Sequence, residues 1–247
     1  MLFKKSGQDL TPRAVLASMA IGFLLLIGGN GCVTIAVRKV DSYMAALIVT
    51  SIPLLVLIYD RVLFKKPVRV HALAAIILGF VGIGMLLNTG KGIVPNISGH
   101  ALFVLLGSAL WALGTSLSKH APQPTDPFMN SAIQLISSGI VALLMIPLVT
   151  PVNDIHPSNW TSGSLIALVY LIVFGTLALV AYGYLLKTEP NNRVVTYAFV
   201  NPPIALFLGL VFGGETPAPF LVPALALICG ALALTFYGHR LTGLMRS

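Results

Sequence analysis

Apolar runs of roughly bilayer length are the feature that most limits what this chain can fold into. Eight occur in 247 residues, at about 14–37, 43–63, 71–88, 100–118, 129–149, 164–186, 194–213 and 220–238. A bilayer's hydrocarbon core takes about 20 apolar residues per helix, and only helices or closed barrels can cross it with every backbone group satisfied. The connecting segments, such as RKVDS, DRVLFKKPVR, KHAPQPTDP and KTEPNNR, are short and polar. None is long enough to form a soluble domain. Charged residues make up 9% of the chain, against about 25% in a soluble domain, so lipid must serve as solvent for much of the surface. The fold expected is an all-α, polytopic membrane helix bundle of eight spans.

The net charge of +8 does not mark a nucleic-acid binder, because the basic residues form no clustered face. They sit in the short loops, and with a cytoplasmic N-terminus 12 of the 15 Lys and Arg fall in inside segments. The outside segments keep Arg38, Lys39 and Lys91. By the positive-inside rule this places both termini in the cytoplasm. The basic N-terminus has no small-residue cleavage site after its first apolar run and reads as a retained anchor. Cys32 and Cys229 both lie within apolar runs and make no disulfide framework.

Two of the runs are interrupted in the same way. Pro53 lies in ALIVTSIPLLVLIYDRVLFKKPV and Pro202 in VTYAFVNPPIALFLGLVFGGETP, 149 positions apart. The same offset pairs Lys66 with Glu215. A mid-span proline frees a backbone carbonyl one turn earlier, which is tolerated where protein or a cavity satisfies it. Interrupted helices at corresponding positions of two halves point to a transporter's binding site, although a plain packing kink fits as well. We take Pro53 and Pro202 as candidate hinges and the offset as an internal repeat. The domains expected are an N-terminal repeat of three helices over 1–98 and a C-terminal repeat of five over 99–247.

Acidic residues are absent from the middle of every run, so no buried carboxylate offers a proton relay. No HExxH, GxSxG or paired carboxylates occur, and neither an enzyme nor a metal or cofactor site is expected. Uncharged polar residues recur instead at helical spacing: Ser108, Trp111 and Thr115; Ser131, Gln134 and Ser138; Tyr197 and Asn201. Each set falls on one helix face, which should avoid hydrocarbon. Such groups either join helices by hydrogen bonds or line a cavity. The candidate substrate-binding residues are Trp111, Gln134, Tyr197 and Asn201. Ala75 with Gly79, and Gly209 with Gly213, are small-residue pairs that mark close helix approach.

The stretches LWALGTSLSKHAP at 110–122, YLIVFGTLALVAYGYLLKTEP at 170–190 and VNPPIALFLGLVFGGETP at 200–217 resemble the EamA-type transporters of the drug/metabolite transporter superfamily. The resemblance covers essentially the whole chain. It implies ten helices in two inverted five-helix repeats around a central cavity, with alternating access and export of amino acids, other metabolites or drugs across the bacterial inner membrane. Aligned by the repeat, Pro202 falls in the fourth helix of the second repeat and Pro53 in the fourth of the first, which only one run precedes. The family's first two helices are therefore expected to be missing and the first repeat truncated. Lys65 and Lys66 also stand where the second repeat has Gly214 and Glu215. With those helices absent, one cavity wall is lost or supplied by another chain, which leaves room for a homo-oligomer. The function expected is export of small neutral or zwitterionic solutes; the alternative is a truncated or non-transporting membrane scaffold.

Overall fold

A computed structural model describes residues 10–67, 70–87, 99–149, 160–189, 194, 201–214 and 220–244. Secondary structure among them is helical. Helices α1 (Pro12–Gly22) and α2 (Cys32–Ala36) are joined by a π-helical segment, Phe23–Gly31. After α3 (Ser42–Val49), α4 (Ile52–Phe64), α5 (Val70–Leu87), α6 (Gly99–Ser118) and α7 (Pro127–Val149) comes α8 (Ser162–Tyr170). A second π-helical segment, Leu171–Gly175, joins α8 to α9 (Thr176–Thr188), and α10 (Asn201–Val211) and α11 (Leu221–Leu244) follow.

Every apolar run carries helix. Five helical stretches among the described residues are long and apolar enough to cross a membrane: Pro12–Ala36, Ser42–Phe64, Gly99–Ser118, Pro127–Pro147 and Ser162–Thr188. His71–Ile83 and Leu221–Leu234 are shorter apolar helices. The run at 194–213 is described as helix from Asn201 onward.

The chain divides into two compact units that alternate in sequence. One comprises Met1–Ile27 and Leu117–Pro190, the other Gly28–Ser116 and Asn191–Ser247. In the first unit α1 packs on α7, and α7 on α9. The buried residues of α1, Ala14, Ser18, Ile21 and Gly22, stand at i, i+4, i+7 and i+8, on one helix face. Gly22 is what permits the approach: a Cβ there would lie 2.8 Å from the Gln134 Cα. An Asp126 cap starts α7, its Oδ1 accepting from the Phe128 N–H at 2.8 Å, with Pro127 at the first helical position, where the missing N–H costs nothing.

In the second unit α5 and α11 form the most extensive helix pair. Ala75, Gly79 and Gly82 of α5 lie at three- and four-residue spacing; Ala75 packs with Ala231, and a Cβ on Gly82 would stand 3.1 Å from the Ala224 carbonyl oxygen. Lipid tails are as apolar as leucine, so packing and close backbone approach, more than burial, hold membrane helices together. A Cβ on Gly107 of α6 would come within 2.8 Å of the Gly29 carbonyl. Tyr43, Leu47 and Ile48 of α3 join Ile83, Val104 and Ile228 in the main apolar cluster of this unit.

Three features recur at nearly constant separation. Thr11 caps α1 by accepting the Ala14 N–H, and Thr161 caps α8 by accepting the Ser164 N–H. The π-helical segments begin at Phe23 and Leu171. Among the described residues, left-handed backbone occurs at Lys65 (φ 54°) and at Gly214 (φ 62°), the second being 149 positions after the first, the separation of Pro53 from Pro202.

Candidate functional site

In the first unit a run of uncharged polar side chains is buried within apolar helices. Asn130 and Ser131 are 2% exposed, and Gln134 and Ser138 4%; they share one face of α7. Asn130 is the hub. Its Oδ1 accepts from the Ser18 hydroxyl of α1 at 2.8 Å, and its Nδ2 donates to Gln123 Oε1 at 2.9 Å. The loop that carries Gln123 is tied to the end of α9 by two lysines. Lys187 Nζ donates to the Pro124 carbonyl, and Lys119 Nζ donates to the Glu189 carbonyl at 3.1 Å.

Beside this network lies a small cavity of about 10 Å³ lined by Gln123, Asn130, Gln134, Tyr182, Leu186 and Lys187, among others. That volume holds about one water molecule. Gln134 is thus a cavity residue. The sequence pattern finds it through Ser131, Gln134 and Ser138 but misses Asn130, although Asn130 precedes Gln134 by one helical turn. Ser18, Gln123 and Lys187 are also missed, because they come from other segments and no local spacing ties them to α7. Tyr182 lines the cavity, whereas Tyr184 is 54% exposed.

The second unit holds the remaining candidates. Trp111 is half-buried and packs with Ile52, Val56, Ala112 and Tyr59. Ser108 and Thr115 are buried on its helix, but their hydroxyls turn back to α6, donating to the Val104 carbonyl at 3.0 Å and the Trp111 carbonyl at 2.9 Å. Such i−4 bonds satisfy a hydroxyl within its own helix. The helical break near Pro53 lies at Thr50–Ser51, between α3 and α4. Pro53 is buried in the first turn of α4, where it leaves no hydrogen bond of that helix unmade. Pro202 lies in α10, which packs on α3, and Asn201 is exposed. Tyr197 lies outside the described residues.

At the end of α4, Lys66 Nζ meets Asp60 Oδ2 at 2.7 Å and stands 5.6 Å from the Phe64 ring centre. The charge at this end of the span is therefore an ion pair beside Arg61. Cys32 and Cys229 are free thiols. Among the described residues no cluster of His, Cys, Asp or Glu could hold a metal.

A solved crystal structure superposes with a TM-score of 0.59 at 19% identity, covering 96% of this chain and 91% of the other, which shows a shared fold. The uncharacterized inner membrane transporter YedA of Escherichia coli is 35% identical over 238 residues, 95% of this chain and 76% of YedA. The uncharacterized transporter YxxF of Bacillus subtilis is 25% identical over 93% of this chain and 74% of its own length. Protein PecM of Dickeya dadantii is 26% identical over 81% and 73%. The family model described as EamA-like transporter matches residues 1–88 and 99–237, and with apolar helices of membrane-crossing length the chain is a multi-pass membrane protein that belongs to the EamA-like transporter family.

Proposed function

We propose that this chain exports small neutral or zwitterionic metabolites, amino acids among them, across the bacterial inner membrane by alternating access around a central cavity. Membership of a transporter family and the name of its relative YedA, an inner membrane transporter, support the class. The observation that carries the solute type is the polar face of α7, where Asn130, Ser131, Gln134 and Ser138 are buried and uncharged. Trp111, Gln134, Tyr197 and Asn201 contact the solute, and the segments at Pro53 and Pro202 act as hinges.

In this reading the chain has eight spans and both termini in the cytoplasm. They form two inverted repeats, three helices over 1–98 and five over 99–247. The recurring caps, π-helical segments and left-handed residues support the repeat. So does the family match, whose two stretches fall either side of that boundary.

Purified protein in liposomes, loaded with a panel of labelled amino acids, tests the proposal. Flux above empty liposomes is expected, with Gln134→Ala and Trp111→Ala each lowering it by about tenfold, the size of one lost polar or packing contact of about 1.4 kcal/mol. Flux no greater than in empty liposomes for every solute would favour a scaffold. Unchanged flux in both variants would remove these residues from the site.

A further inference from the structure

The end of α4 keeps a lysine where glycine would fit the backbone more easily. Lys65 closes the helix in the left-handed region, at φ 54°. The residue of the same backbone hand 149 positions later is Gly214. A side chain is disfavoured in this conformation, and an observed outlier of this kind is a pointer to function. A cation in the last turn answers the helix dipole, but Arg61 already supplies one.

The neighbouring charges are accounted for differently. Lys66 Nζ is engaged by Asp60 Oδ2 at 2.7 Å, and the other Asp60 oxygen is buried. Arg61 and Lys65 are both exposed, and neither enters an ion pair among the described residues. One acid against three bases leaves a net charge of +2 over 60–66. Between the two unpaired cations, Val62 is 68% and Leu63 46% exposed. Ser42–Phe64 is long and apolar enough to cross a membrane, so its end lies where hydrocarbon gives way to headgroups. Apolar side chains bared beside two unpaired cations complement a lipid that carries a negative headgroup. A zwitterionic headgroup has no net charge to neutralise them.

We infer that Arg61 and Lys65 form a docking site for an anionic phospholipid, with both cations on its phosphate and Val62 and Leu63 against its acyl chains. The site is separate from the α7 network and does not depend on the transport reading.

The full chain in dodecyl maltoside is mixed with phosphatidylglycerol or with phosphatidylcholine of the same acyl chains. Native mass spectrometry reads the dissociation constant of the first bound lipid. One basic residue near the membrane surface contributes about fivefold to anionic-lipid binding, so phosphatidylglycerol is expected to bind at least about tenfold more tightly. Arg61→Gln and Lys65→Gln should each remove about fivefold of that preference, Lys65→Arg should keep it, and Arg38→Gln should leave it intact. Lys65→Gly separates the role from folding: its unfolding midpoint in detergent should rise while the preference falls. Equal affinity for the two lipids would overturn the site, and the wild-type series needs no variant to fold. A preference that Lys65→Gly and Arg61→Gln both leave intact would overturn it too. So would displacement of phosphatidylglycerol by inorganic phosphate but not by chloride at equal ionic strength, which would assign the cations to a free anion.

Discussion

At Lys65 a bulky side chain occupies a conformation that glycine adopts freely. The residue closes α4 with φ at 54°, and the Lys66 N–H behind it reaches the Asp60 carbonyl at 3.2 Å, the pattern of a left-handed helix terminus. A non-glycine residue there costs about 1–2 kcal/mol. Lys65→Gly is therefore expected to stabilise the protein by about 1 kcal/mol, and Gly214→Ala to destabilise it by a similar amount, both read from unfolding midpoints in detergent. Two buried serines form a second contrast. Ser18→Ala strips the acceptor Asn130 of its donor and should cost about 1–3 kcal/mol, whereas Ser138, whose hydroxyl has no partner among the described residues, should tolerate alanine without loss. Sequence spacing placed Ser138 and Ser131 on one face with Gln134. It could not separate a bonded hydroxyl from an unbonded one, because Ser18 lies 112 positions from Asn130.

Two glycines set how closely helices approach. Gly22 brings α1 against the backbone of α7 at Gln134, and Gly82 brings α5 against α11. Neither obstacle is the far end of a flexible side chain alone, since the Gln134 Cα and the Ala224 carbonyl are backbone. Gly22→Val and Gly82→Val should each cost about 1–3 kcal/mol through overpacking. Only Gly22→Val should also disturb the Ser18–Asn130 bond. The apolar runs foretold each helical segment, because run length is a property of local sequence. The π-helical segments were not legible: FLLLIGGNG and LIVFG carry no proline or charge to betray a changed hydrogen-bond ladder. The break at Thr50–Ser51 lies two or three residues before Pro53. Proline marks the first turn of the following helix as readily as the kink itself.

For the whole molecule, the positive-inside count predicts a topology that reporter fusions can check. A C-terminal fluorescent protein should fold and shine in the cytoplasm, and a phosphatase fused after Lys91 should be active in the periplasm; the opposite result would reverse the orientation. Exposure is uneven among the five long apolar helices described: Ser162–Thr188 is the most apolar of them and is only 6% buried over its apolar stretch, against 61% for Ser42–Phe64. Lipid contact is the plain expectation for such a surface in a bilayer. The left-handed pair at Lys65 and Gly214 has a different reach. If the two halves descend from one ancestral segment, a torsion angle has outlived the residue that made it easy. Alignment of such halves should then weight dihedral signs above letter identity. It also names a graft: residues 52–65 and 201–214 share length and terminal backbone hand, so exchanging one for the other should preserve the exit direction of the chain while replacing nearly every side chain along it.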